Sequence, residues 1–194
     1  MILIFDTETT GLYPGNVCQL SYIMQNKNGL QAKNFFFTVD KVEYSAFLVH
    51  GLSVEKLKTL SNGKRFRDFF YEIESDFSLA DLVVSHNTDF DFMFIRSEYE
   101  NLCKDFIIND SFCTMKKSVP ICKLPRKTGT GYKYPKLSEL CAFLDITDED
   151  ILSKTLQIFG DGAFYHDARF DTTALFLALN KGIKLDYYNL KDKL

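Results

Sequence analysis

Carboxylates stand in this chain where a fold would gather them. Asp6 and Glu8 end a short apolar run, Ile2-Leu3-Ile4-Phe5. Side chains alternate along a strand, so two residues two apart share a face. An acid ending a buried strand is costly unless it is paired or metal-bound. A second group, His86-Asn87-Thr88-Asp89-Phe90-Asp91, follows another apolar run and opens a helical stretch. Asp89 and Asp91 are both candidate acids, and only one of them can face a given site. Phe90 fits a core position, or a surface on which a base stacks. The third group is His166 with Asp171. Residues five apart on a regular helix point about 140° from each other. The pair serves one site only if His166 sits in the loop before a helix and Asp171 on its first turns. A loop histidine can reorient, and histidine as a type suits proton transfer near neutrality.

The chemistry these residues suit is phosphodiester hydrolysis. It needs an activated water and stabilised charge on both the attacking and the leaving oxygen, and two divalent ions roughly 4 Å apart supply both. Magnesium prefers oxygen ligands and keeps several waters. Clustered acids repel one another and repel phosphate, so the grouping makes sense only with metal bound. Two divalent cations, Mg2+ or Mn2+, are the expected cofactors.

The elements that would position these groups follow from the apolar pattern. Residues 2–5 read as a buried central strand. Residues 17–27 and 30–39 read as two more strands, with Asn28-Gly29 as the hairpin turn. Ser53 caps a short helix reaching residue 60. Phe66, Phe69, Phe70, Ile73 and Phe77 recur at helical spacing, which predicts an amphipathic helix over 65–79. Short strands are expected at 81–85 and 106–109. Helices are expected at 88–102, 137–144 and 167–180, the last ended by Gly182 as its C-terminal cap. Strands first, then strands alternating with helices, describe an α/β layered domain with a mixed sheet. No repeat or linker divides the 194 residues, so one domain is expected.

Composition adds limits. The net charge is −3, so overall charge gives no case for binding nucleic acid; a local basic patch or bound metal must do it. Residues 111–138 offer such a patch. Lys116, Lys117, Lys123, Arg126, Lys127, Lys133 and Lys136 lie there without an acid, among Pro125, Gly129, Gly131 and Pro135, with Tyr132 and Tyr134 interleaved. This reads as a basic loop, either simply solvated or gripping phosphates. The five cysteines are scattered without a Cys-x-x-Cys pair, which suits reduced thiols and a cytoplasmic protein. No apolar run approaches membrane-spanning length, so no membrane partner is expected.

The segments Asp6-Thr7-Glu8-Thr9-Thr10-Gly11-Leu12, His86-Asn87-Thr88-Asp89-Phe90-Asp91, and His166 with Asp171 together resemble the three motifs of the DEDDh, or DnaQ-like, exonucleases. That family includes the proofreading epsilon subunit of bacterial DNA polymerase III. Each motif is modest alone; three in order, spanning residues 6–171, are specific. The resemblance implies a ribonuclease-H-like fold, a mixed five-stranded sheet flanked by helices. It implies a 3′–5′ exonuclease that releases nucleoside 5′-monophosphates from DNA ends, single-stranded or frayed, with RNA ends as the alternative substrate. It assigns the metal ligands to Asp6, Glu8, Asp91 and Asp171, with Asp91 rather than Asp89 because it follows the Phe, and the general base to His166. For grip on the terminal nucleotide it points to Thr9 and Leu12, to His50 in Val49-His50-Gly51-Leu52, and to Asn87 and Phe90. His50 reads equally as a turn residue beside Gly51. A polymerase is the protein partner the resemblance raises. Only residues 183–194 follow the last expected helix, so no extended polymerase-binding tail is expected.

Overall fold

In the computed structural model, which describes residues 1–160 and 166–190, strand β1 (Ile2–Thr9) runs through the middle of the sheet. Ile2, Leu3, Ile4 and Phe5 are fully buried, as a strand covered on both faces requires. Beside it lie β2 (Val17–Asn26) and β3 (Gly29–Phe36) on one side, and β4 (Leu82–Ser85) and β5 (Ser111–Cys113) on the other. The sheet has five strands in the order β3-β2-β1-β4-β5. β1 pairs antiparallel with β2 and parallel with β4, and β4 is parallel to β5. This is the mixed five-stranded sheet expected. The hairpin turns at Lys27-Asn28, with Asn26 paired to Gly29, one residue earlier than the Asn28-Gly29 signal indicated.

Eight helices among the described residues complete the fold: α1 (Tyr44–His50), α2 (Val54–Leu60), α3 (Phe66–Leu79), α4 (Thr88–Glu100), α5 (Thr114–Cys122), α6 (Leu137–Phe143), α7 (Asp148–Phe159) and α8 (Ala168–Lys184). The apolar faces of α3 and α4 cover one side of the sheet and that of α8 the other. Leu3 and Phe5 pack with Phe70, Ile73 and Phe77 of α3 and Phe92, Phe94 and Ile95 of α4. Ile2 and Ile4, on the opposite face, pack with Leu175, Leu179 and Ile183 of α8. The first layer is aromatic: Phe5 stacks on Phe92 and meets Phe77 edge-on, with centroids 5.9 and 5.3 Å apart. Such pairs add about 0.5–1.5 kcal/mol each beyond area burial.

Three expectations need correction. Residues 106–109 are not a strand. Phe106 and Ile108 pack against the aromatic core from irregular chain, and the edge strand forms at Ser111–Cys113, where β4 offers its unpaired side. Gly182 does not cap the last helix. It lies inside α8, where the Tyr188 ring occupies the space a Cβ would take, so glycine serves close approach rather than termination. The stretch 111–138 is only partly loop: β5 and α5 take residues 111–122, α6 begins at Leu137, and a bridge between Pro125 and Tyr132 pinches what lies between.

Candidate active site

Alternation along β1 divides the site. Asp6 and Glu8 continue the face of Ile2 and Ile4, toward α8. Thr7 continues the face of Leu3 and Phe5, toward α4. A register shift in the β1–β2 pairing falls between Glu8 and Thr9, where Glu8 pairs with Gln19 and Thr9 with Val17. Bulges of this kind locally re-aim side chains.

On the α8 side, Asp171 lies in the first turn of the helix, and His166 just before its N-cap residue, Asp167. This is the arrangement the spacing required. Ligand atoms of Glu8, His166 and Asp171 all lie within 4.8 Å of one another. His166 is exposed, with φ 59°, in the left-handed region that non-glycine residues seldom adopt. On the α4 side, Asp91 is 3% exposed and accepts a 2.8 Å hydrogen bond from Thr7 Oγ1. Asp89 is not part of the cluster. Its carboxylate points outward and pairs with Lys116 Nζ at 2.6 Å. That separates the two candidate acids of the second motif in favour of Asp91.

The four carboxylates hold their protons unusually tightly. Burial pushes Asp6 well above the ordinary carboxylate range, and the charges of Asp171, Asp91, Glu8 and Asp167 push it further. Glu8 is raised by burial and then by Asp171, Asp167 and Asp91. Burial raises Asp91 to about 7 against the hydrogen bond from Thr7. Burial raises Asp171 to about 7 as well, against a backbone hydrogen bond from His166. Acids packed together in this way are an oxygen donor set for a hard divalent cation, which would relieve the repulsion.

Beside Glu8 opens a pocket of about 260 Å³, lined by Thr7, Glu8, Thr9, Gly11, Leu12, Val49, His50 and Phe90, among others. Its walls are mostly apolar. Leu12 is 68% exposed at the rim, on a turn held close because Gly11 lies against the Glu43 side chain, where a Cβ would clash. Thr9 is buried, and its hydroxyl donates to the Gly11 carbonyl at 2.9 Å. His50 is pinned by backbone on both nitrogens. The Leu52 N–H donates to Nδ1 at 3.0 Å, so Nε2 carries the proton and donates to the Thr9 carbonyl at 3.1 Å. Burial lowers its pKa. His50 is thus both turn residue and pocket wall, and its ring nitrogens are already engaged. Phe90 likewise does two things: it packs on Phe94 at 5.1 Å and lines the pocket. Asn87, the N-cap residue of α4, is also left-handed with φ 89°, and it does not line this pocket.

Two features had escaped the sequence reading. Thr7 holds Asp91, and a threonine between two acids carries no mark of that. His86, a member of the second motif, is a half-buried tie: Nδ1 meets Thr114 Oγ1 at 2.9 Å and Nε2 meets the Pro135 carbonyl at 3.0 Å. Burial lowers it to about 4. It joins the end of β4 to α5 and to the basic segment.

No protein-family model matches the chain. It is similar to DNA polymerase III subunit epsilon from Rickettsia felis, 29% identical over 145 residues, covering 72% of this chain and 60% of that protein. The epsilon subunit from Buchnera aphidicola subsp. Schizaphis graminum is 28% identical over 151 residues, covering 72% and 61%. The chain therefore spans about three fifths of the length of the curated relatives it matches. Among solved structures, E. coli Exonuclease I in complex with a dT13 oligonucleotide superposes with a TM-score of 0.70 at 16% identity, covering 96% of this chain and 42% of that one. Exonuclease I from Methylocaldum szegediense gives 0.67 at 18% identity, covering 94% and 40%. The likeness to Exonuclease I is one of fold, and places the mixed sheet in the ribonuclease-H-like class. The resemblance carried by the three motifs is thus met independently, by epsilon subunits in sequence and by Exonuclease I in fold.

Proposed function

We propose that this chain is a metal-dependent 3′–5′ exonuclease that hydrolyses the terminal phosphodiester bond of a DNA strand and releases a nucleoside 5′-monophosphate. One observation carries the reading: Glu8 of β1 and Asp171 of α8 converge with His166 beside an apolar pocket of about 260 Å³, with Asp6 and Asp91 close enough to press on the same charges. Supporting it are the similarity to epsilon subunits and the fold shared with Exonuclease I, a protein solved with oligonucleotides.

The roles follow from chemistry. Asp6, Glu8, Asp91 and Asp171 would hold two divalent cations, Mg2+ or Mn2+. When bound, the cations supply Lewis-acid charge for activating water and for stabilising the departing 3′ oxygen. His166 accepts the proton from the attacking water. The water oxygen bonds to the terminal phosphorus as the bond to the 3′ oxygen of the preceding nucleotide breaks. Leu12, His50 and Phe90 hold the terminal nucleotide against the apolar wall, with Thr9 and Asn87 at its edges. The basic residues between 116 and 136, other than Lys116 and Lys133, which pair with Asp89 and Glu139, supply the local positive charge that the net charge lacks. Association with a polymerase is a further expectation carried by the relatives' name.

The test is a time course on 5′-labelled single-stranded DNA and a matched RNA, each with magnesium and each with a chelator. The expected result is a ladder of shortening DNA products that disappears with chelator. A ladder on RNA alone keeps the mechanism and overturns the substrate. Binding of either strand without shortening overturns the exonuclease reading.

A further inference from the structure

The chain keeps a polar amide in the middle of a buried strand, and that amide has a task. Gln19 of β2 is 1% exposed and is the direct cross-strand partner of Glu8, so the two side chains share a face. Its amide is engaged on both atoms. Nε2 donates to Asn34 Oδ1 on β3 at 2.8 Å and to Asp167 Oδ1 at 2.9 Å. Oε1 accepts from the Ala168 N–H at 3.3 Å. Two of the three residues that Gln19 engages, Asp167 and Ala168, are the two that follow His166.

Asp167 is locked from its other side as well. As N-cap of α8 it accepts from the Arg169 N–H at 3.0 Å, and its carboxylate accepts from Arg169 Nε at 2.9 Å and Nη2 at 2.7 Å. The guanidinium group lies over the Phe36 ring, 6.0 Å from its centroid, at the end of β3. Burial pushes the Asp167 carboxyl up, but Arg169 and Gln19 outweigh it and hold it below the usual range. The outcome is a rigid bracket, two strands deep, around the turn that carries an exposed histidine in a left-handed conformation. That conformation persists only where its surroundings over-determine it. We infer that Gln19, with Asp167 and Arg169, is a positioning device that aims His166 at Glu8 and Asp171. Gln19 is a positioning residue for proton transfer, and this role rests on the exonuclease reading above.

The alternative is that the bracket only docks α8 on the sheet. A double-mutant cycle separates the two. Gln19→Met keeps length and volume and removes every hydrogen bond of the amide. Acting through His166, it lowers kcat about 10-fold or more while KM for a DNA oligonucleotide stays within about 2-fold, and in a His166→Ala background it costs almost nothing further. Asp167→Ala, which breaks the same bond from the other side, gives the same pattern if Gln19→Met folds poorly. Equal losses in both backgrounds overturn the proposal in favour of simple docking. A readout independent of turnover uses the histidine imidazole NMR signals, which are separable because the chain has only three histidines. Gln19→Met is expected to move or broaden the His166 signal and to leave His86 unchanged. An unmoved His166 signal overturns the clamp whatever the activity. A wild-type chain that cuts no 3′ end, with the His166 signal still displaced in Gln19→Met, overturns the exonuclease reading and leaves the clamp standing.

Discussion

The two faces of β1 bring acids to the same place on different terms. On the α8 face, Asp6 and Glu8 look toward Asp171, and the charges pressing on them are carboxylates. On the α4 face, Asp91 is met by a neutral donor, the Thr7 hydroxyl at 2.8 Å. One half of the site is held in place by the protein alone. The other half is assembled against its own repulsion and calls for a cation. The division follows from strand alternation: odd residues of β1 turn to the aromatic layer of α3 and α4, even residues to the aliphatic layer of α8.

The largest effects should come from the crowded half. Asp6→Asn or Asp171→Asn is expected to lower kcat by about 10³-fold or more, the scale of losing transition-state charge stabilisation. Neither should lower the thermal midpoint without metal, because each removes a like charge from the cluster. Substantial residual turnover would remove that residue from the metal-holding set. His166→Ala comes next, at about 10²–10³-fold in kcat with substrate binding spared. A pH–rate profile of unchanged shape would argue that another group takes the proton.

The orderly half should respond less. Thr7→Val keeps the strand's β-branched shape and removes the donor to Asp91. Hydrogen bonds to charged groups contribute about 1.5–3 kcal/mol, so a loss of roughly 10-fold in kcat with a raised magnesium requirement is expected. If magnesium dependence and kcat both match the parent, Asp91 does not need Thr7 to be aimed.

How legible this was in the sequence differs by region in the same way. The four acids and His166 stood out as candidates because each lies in or beside an element with a clear period. Apolar pattern alone left Asp89 and Asp91 open; the resemblance favoured Asp91, and the structure adds the tertiary fact that Asp89 pairs with a lysine 27 residues away. Helices α3 and α4 were plain from apolar spacing. Helix α1 escaped because it has no buried residues, and α5 because Pro120 lies inside it. Helix α7 was not predicted either, although Thr147 with Asp150 in a capping box marks its start; its buried residues are few. β5 was expected five residues early because Phe106 and Ile108 are more apolar than Ser111 and Cys113. Hydropathy identified what fills the core, and not which backbone pairs with β4. Gln19 and Thr7 show the same limit from the polar side, since what makes each useful is a partner distant in the chain.

The last contrast concerns pH, where the site's acids and His86 pull in opposite directions. Asp91 and Asp171 titrate near 7 in the fold, far above an unfolded carboxylate. Between about pH 4 and pH 7 the native state therefore binds more protons than the unfolded chain, and linkage makes stability fall as pH rises through that window. His86 does the reverse. Its native pKa is lowered to about 4, so it costs stability as pH falls below the ordinary histidine value. A thermal midpoint measured against pH alone mixes the two trends. The shift in midpoint caused by Mg2+ does not, because the cation competes with protons for the carboxylates and has no hold on His86, whose ring nitrogens are both engaged by the protein. That shift is expected to be small at pH 5.5 and to grow through pH 7, reaching about 5 °C or more at pH 8. It should shrink sharply in Asp171→Asn, which cripples the crowded half, and less in Thr7→Val, which only loosens the orderly one. A magnesium shift independent of pH would mean that the ion binds elsewhere, and the two faces of β1 would not form one metal site.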